Sequence, residues 1–207
     1  MKRIAILWAV IIFAASACKN DGTGTSSGEA IKVFEEKLLQ ITPDALVFSG
    51  GNREALPFSG DTAATTFVLV RHAEKDTTNK NDPDLTQAGK DRARLLADVV
   101  QLIKIDAVYS TQMLRTLKTA TPTVAMQKAP LIPYNAEESE ALMQRLVSTE
   151  QGKTFVIVGH SNNIPQMLNK ISGNGKFAQI EESDYDNIYI VKAANKGKKI
   201  NFFQASF

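Results

Sequence analysis

Two stretches decide how this chain is read: Thr65-Thr66-Phe67-Val68-Leu69-Val70-Arg71-His72 and Thr154-Phe155-Val156-Ile157-Val158-Gly159-His160. Each is an apolar, β-branched run closed by a histidine, and the chain has only these 2 histidines. Short runs of this kind predict fully buried strands. Strands buried on both faces belong to sheets covered by helices on both sides. In such sheets ligands bind at the carboxyl ends of the strands. Two imidazoles therefore face one crevice, and Arg71 directly precedes one of them. That combination reads as an anion site containing a nucleophile.

Working outward, strands and helices alternate. A helix begins at Thr86, a suitable N-cap, and buries Ala93, Leu96, Val99, Val100 and Ile103. A strand over 106–109 leads to a helix capped by Ser110 or Thr111 that reaches 126. A strand over 130–134, a helix over 136–148, the strand 154–158 and a helix over 162–171 follow. Two last strands, 187–191 and 200–203, flank the hairpin signal Asn195-Lys196-Gly197. The expected fold class is α/β, a three-layer α/β/α sandwich with a mainly parallel central sheet.

Before this region, Ile31, Phe34, Leu38 and Ile41 fall at helical spacing, which predicts a short amphipathic helix over 30–41. Residues 20–28 are Gly/Ser/Thr-rich and suit a flexible tether. At the start, Met1-Lys2-Arg3 is basic, 4–14 is apolar, Ala15-Ser16-Ala17 is small, and Cys18 follows. This is a secretory layout, and the apolar run is shorter than the roughly 20 residues a spanning helix needs. The small residues before the cysteine resemble the lipobox of bacterial lipoproteins, which implies cleavage before Cys18 and its lipidation. The expected organisation is a signal peptide (1–17), a lipidated Cys18 with a tether (18–28), an N-terminal extension (29–64) and one α/β domain (65–207). The expected location is outside the cytoplasm, anchored to the outer membrane or cell surface.

A net charge of +2 and the lack of basic runs with interleaved aromatics argue against a nucleic-acid partner. A single cysteine excludes an internal disulfide framework.

Three strand ends carry chemistry. In Arg71-His72-Ala73-Glu74, a neutral imidazole can attack phosphorus while the guanidinium holds the phosphoryl oxygens. In Tyr109-Ser110-Thr111-Gln112-Met113-Leu114-Arg115-Thr116, Arg115 lies in the first turn of a helix that starts at a strand end, where anions are favoured. In Gly159-His160-Ser161-Asn162-Asn163, the second histidine can bond the same phosphate. Singly, each has a plain structural alternative: a surface arginine, or a capped core histidine.

These segments, with Asp84-Leu85-Thr86-Gln87-Ala88-Gly89 and Thr119-Ala120, resemble the histidine phosphatase superfamily, the phosphoglycerate-mutase-like family, across about 65–191. The resemblance implies the phosphoglycerate-mutase-like sandwich and a phosphohistidine intermediate. It implies His72 as nucleophile, Arg71, Arg115 and His160 as the phosphate pocket, and no metal or organic cofactor. The substrate would be a phosphorylated small molecule or a phosphoprotein. Ala73 stands where the family has glycine, which places a methyl beside the pocket. The mutases' asparagine position is Thr78 here, their Gly/Trp-rich segment is absent, and Ser161 stands where acid phosphatases have aspartate. The general acid is the open position: Glu137 and Glu138 follow the strand that ends at Tyr134, with Glu74 and Asp76 as further candidates. Three readings follow: an exported phosphatase, a phosphotransferase or mutase, and a non-catalytic surface lipoprotein that binds phosphorylated ligands.

Overall fold

All seven residues of strand β4 (Thr65–Arg71) are buried. It has β7 (Thr154–Gly159) parallel on one side and β8 (Asn187–Ala194) antiparallel on the other. The β4–β7 register runs from Thr66 opposite Thr154 to Arg71 opposite Gly159. The next residue on each strand is a histidine, so this register alone sets His72 beside His160. The computed structural model describes residues 30–78 and 80–207. The expected signal peptide and the Cys18 tether lie outside the described residues.

The other elements are β1 (Ile31–Ile41), β2 (Ala45–Phe48), β3 (Arg53–Ala55), α1 (Gln87–Val99), β5 (Ala107–Ser110), α2 (Leu114–Gln127), β6 (Leu131–Pro133), α3 (Ser139–Thr149), α4 (Asn163–Ser172) and β9 (Lys199–Ser206). The strands form one sheet in the order β3-β2-β1-β9-β8-β4-β7-β5-β6. Side chains of β4 alternate between its two faces. Val68 and Val70 join Leu96 and Val99 of α1 and Ala120 of α2 in one core. Phe67 and Leu69 join Met143 and Leu146 of α3 and Ile164 and Leu168 of α4 in the other. Each such large side chain contributes about 1.5–3 kcal/mol by leaving water. The three-layer α/β/α arrangement is as expected.

Two expectations are corrected. The sheet is mixed, not mainly parallel: β4, β7, β5 and β6 run parallel, and β1 runs parallel to β9, but β8 and β9 are antiparallel neighbours. A tight hairpin can only join antiparallel strands, and Asn195, Lys196 and Gly197 take the positive φ values, 51°, 54° and 79°, that such a turn requires. Within the segment expected as a helix, Ile31–Ile41 is a strand. Its pairing with β9 shifts register between Val33 and Lys37, and its pairing with β2 shifts between Leu38 and Gln40. These irregularities interrupt the period of two, so buried Leu38 and Ile41 stand three apart and imitate a helical face. Residues 31–55 thereby extend the central sheet.

Candidate active site

His72 follows β4 with its backbone N–H bonded to Gly159 O at 2.8 Å. It is 3% exposed. Its ring Nδ1 lies 2.8 Å from Ala73 O. A carbonyl can only accept, so Nδ1 carries the hydrogen and Nε2 keeps its lone pair. Burial, assisted by Arg71, Arg115 and His160, lowers the imidazole pKa to about 3. The ring is therefore neutral at neutral pH, as a nucleophile must be.

The loop after His72 is clamped from behind. Ala73 N donates to Thr119 Oγ1 on α2 at 2.9 Å, and Thr119 Oγ1 donates to Arg115 O at 2.7 Å. The Ala73 methyl packs with Leu85 and Ala93 in a small separate core, so it is accommodated within the protein. The 84–89 motif is the other half of this clamp. Thr86 caps α1 through Gly89 N at 3.0 Å, and Thr86 N bonds Glu74 O at 2.9 Å. A Cβ on Gly89 would sit 2.4 Å from Glu74 O. Only glycine lets α1 press so closely on the loop after His72.

His160 lies edge-on to His72, with ring centroids 5.5 Å apart at 67°. Its Nε2 is 2.9 Å from Thr111 Oγ1. Burial, with the charges of Arg115 and Arg71, lowers its pKa to about 4. Its backbone N–H donates to Asn163 Oδ1 at 2.7 Å, and Asn163 Nδ2 donates to Tyr134 Oη at 3.1 Å. A Cβ on Gly159 would meet Asn163 Oδ1 at 2.5 Å and Tyr134 Oη at 2.8 Å. Glycine before His160 is thus what allows this network to close around it.

Arg71 and Arg115 supply the positive charge. Arg71 is 3% exposed. Its terminal nitrogens bond Glu181 O at 2.7 Å, Asp184 O at 2.9 Å and Glu182 Oε2 at 2.9 Å, and its guanidinium stacks 4.3 Å from the Tyr185 ring. Arg115 lies in the first turn of α2, with Asp82 Oδ1 4.0 Å from its Nη1. Burial pushes its pKa below the ordinary arginine value. The Nε atoms of both arginines are buried and have no hydrogen-bond partner. A cavity of about 570 Å³ reaches Arg115 and His160, with Gln112, Met113 and Asn135 also in its wall. The structure thus brings together all four residues expected to handle phosphate: His72, Arg71, Arg115 and His160. Among the described residues no group of three or more His, Cys, Asp or Glu is placed to hold a metal ion.

The candidate acids fare differently. Glu74 is taken by Arg92, whose Nε and Nη2 bond its Oε1 at 2.9 and 2.8 Å. Asp76 is half-buried and accepts from Thr78 N, which lowers its pKa and keeps it a carboxylate. Glu137 and Glu138 are exposed and are not in the wall of the cavity that holds Arg115 and His160, although their neighbour Ala136 is. The expected Ser110 or Thr111 cap of α2 is replaced by Asp82, whose Oδ1 accepts from Leu114 N at 2.9 Å. Glu182 was not expected from the sequence. It accepts from Ser161 Oγ at 2.8 Å, Arg71 at 2.9 Å and Lys75 Nζ at 3.3 Å, and Ser161 first among these lowers its pKa. No spacing rule links 182 to 71, 75 and 161. Only the fold brings them together.

Comparison with known proteins gives a consistent picture. The family model described as histidine phosphatase superfamily (branch 1) matches residues 67–138. The 2,3-bisphosphoglycerate-dependent phosphoglycerate mutase of Chlamydia caviae is 25% identical over 137 residues, covering 62% of this chain and 60% of that protein. The chain thus matches only about 60% of the length of this curated relative. Among solved structures, the protein histidine phosphatase SixA complexed with tungstate aligns with a TM-score of 0.57 at 17% identity, covering 68% of this chain and 96% of that one. The mycobacterial glucosyl-3-phosphoglycerate phosphatase aligns with a TM-score of 0.54 at 14% identity, covering 70% and 98%. At these identities the structural likeness speaks to the fold. The family model and the strand-end motifs make residues 67–138 similar to branch 1 of the histidine phosphatase superfamily.

Proposed function

We propose that this protein is a phosphatase that passes a phosphoryl group through His72 to water, and that it prefers leaving groups needing little protonation. One observation carries the reading. A neutral imidazole with a free Nε2 sits among two arginines whose buried Nε–H groups have no partner. Buried donors without acceptors cost about 1–3 kcal/mol each, and a bound phosphoryl group would supply those acceptors. In the first step His72 Nε2 bonds to phosphorus, and the bond to the leaving group breaks with its electron pair. In the second, water attacks the phosphohistidine, the N–P bond breaks, and His72 recovers its lone pair. Arg71, Arg115 and His160 stabilise the equatorial oxygens in both steps.

The leaving-group preference follows from the acids. Every carboxyl considered as donor is ion-paired, held as a carboxylate, or outside the cavity. A positioned acid contributes on the order of 10²–10⁴-fold for an alkoxide leaving group. Phosphohistidine, phosphoramidates and aryl phosphates need it least. A phosphoprotein or small phosphoramidate is therefore the favoured substrate, and alkyl phosphates the disfavoured one. The mutase reading has the names of the curated relatives on its side.

The test compares turnover of phosphoramidate, an aryl phosphate and an alkyl phosphate by wild type and His72→Ala. The expected result is hydrolysis in that order of preference, lost in the variant. If wild type and variant are equally inactive while phosphate still binds, the protein is a binding module. If an acceptor alcohol takes the phosphoryl group faster than water does, it is a transferase. We also read the chain as exported and lipid-anchored through Cys18, on the strength of residues 1–18.

A further inference from the structure

At the opposite end of the sheet from His72, a second cavity of about 290 Å³ opens where β4, β5 and β7 begin. Lys192 of β8 lines it and is only 6% exposed. Its Nζ donates a single hydrogen bond, to Thr66 Oγ1 at 2.9 Å, and no carboxylate among the described residues lies within ion-pair distance of it. The two carboxylates in the wall are otherwise engaged. Asp106 is held by Lys104 Nζ at 2.7 Å and by Thr154 N at 2.9 Å. Asp61 accepts from Ala63 N at 2.9 Å and acts on Lys192 only through space. Burial pushes the lysine pKa down.

A buried ammonium without a counter-ion is costly. The cost is relieved by loss of the proton, by water or by an anion from solution. We propose that this cavity is a second ligand site, distinct from the phosphate pocket, that binds a small monocarboxylate with a short aliphatic body. The carboxylate would fill the free donors of Lys192. The body would lie against Leu56, Ala64 and Ile103, which are all buried and in the cavity wall. A dianion such as phosphate fits less well, because Asp61 and Asp106 stand in the same wall and Lys104, also in it, is already paired with Asp106. The volume also falls at the low end for ligand pockets, which suits a molecule of a few carbons.

The probe is butyrate, with butylamine and inorganic phosphate as controls at equal ionic strength. Two readouts are followed on the full-length chain: the thermal midpoint and the Lys192 ε-methylene resonance in a proton–carbon spectrum, assigned by its loss in Lys192→Met. Butyrate near 100 times its Kd should raise the midpoint by several degrees and shift that one lysine resonance. Both effects should vanish in Lys192→Met. Thr66→Val, which removes only the hydroxyl holding the ammonium, should retain the fold and move the same resonance. An unmoved resonance under saturating butyrate refutes the site and leaves Lys192 a hydrated structural lysine. Equal stabilisation of Lys192→Met by butyrate places binding elsewhere, and a Lys192 response to phosphate but not butyrate refutes the ligand class.

Discussion

The two histidines offer a measurement of the candidate active site that needs no substrate. Both are neutral and desolvated in the folded protein, with pKa values of about 3 for His72 and about 4 for His160. In the unfolded chain each returns to about 6.5. Between these values the unfolded chain binds more protons than the folded one, so stability falls as pH falls. The contribution is fully present above pH 6.5 and is lost progressively toward the folded pKa values. At pH 5 the magnitude depends only on the 1.5 units below 6.5, because both folded pKa values lie lower still. That is about 2 kcal/mol for His72 at 1.36 kcal/mol per unit. His160 is half-buried, and solvent screening reduces its share to about 1–2 kcal/mol. The total is about 3–4 kcal/mol.

The assay is urea unfolding at pH 7.5 and pH 5.0 in buffers without phosphate. With a slope of about 2 kcal/mol per molar urea, the midpoint should drop by about 1.5–2 M. The window is clean because the chain has 2 histidines and ordinary carboxylates stay ionised at pH 5. Asp184, raised by burial and by Asp186, acts in the opposite direction and only as pH enters the carboxylate range. His72→Asn and His160→Asn should each remove their own share, and the double variant should be flat. A wild-type midpoint that moves by less than about 0.5 M would falsify the buried, neutral nucleophile. A drop that survives in the double variant would show that other groups cause it.

Further outcomes follow from the same contacts. Arg115→Ala should lower turnover about 10²–10³-fold with little change in melting, since it removes a desolvated charge; collapse of the thermal transition would mark Arg115 as structural. Gly89→Ala should destabilise by about 1–3 kcal/mol, because its methyl would meet Glu74 O at 2.4 Å; an unchanged denaturation midpoint would contradict the close approach of α1. Glu74→Gln should cost about 1–2 kcal/mol of stability by weakening the Arg92 pair while activity stays within about threefold, and a loss of 10²-fold or more would identify Glu74 as the proton donor after all. Cys18→Ser should release the protein from membranes, and unchanged fractionation with no lipid label would exclude the anchor.

What could be read in the sequence, and what could not, follows from how local the cause is. The runs ending in His72 and His160 declare buried strands by composition alone, and a parallel register between them is enough to pair the imidazoles. The 84–89 motif was legible because a cap and a glycine three residues apart have a local geometry. The helical spacing of β1 misleads because its register shifts with β9 and β2 are properties of its partners, which a single segment does not encode. The same distinction governs the proton donor. A carboxyl's fitness as an acid depends on who faces it: Arg92 disarms Glu74 from 18 positions away, and Ser161 and Arg71 hold Glu182 as a carboxylate from 21 and 111 away. Candidates by position, Glu137 and Glu138, are not in the wall of the cavity that holds Arg115 and His160. On the proposed reading, the site offers a receptor for the phosphoryl group and unassisted departure on the other side. In that arrangement the leaving group's own basicity sets the rate, so a plot of log kcat/KM against leaving-group pKa should slope steeply downward. A flat plot would mean that a proton is delivered by a group none of these contacts reveals.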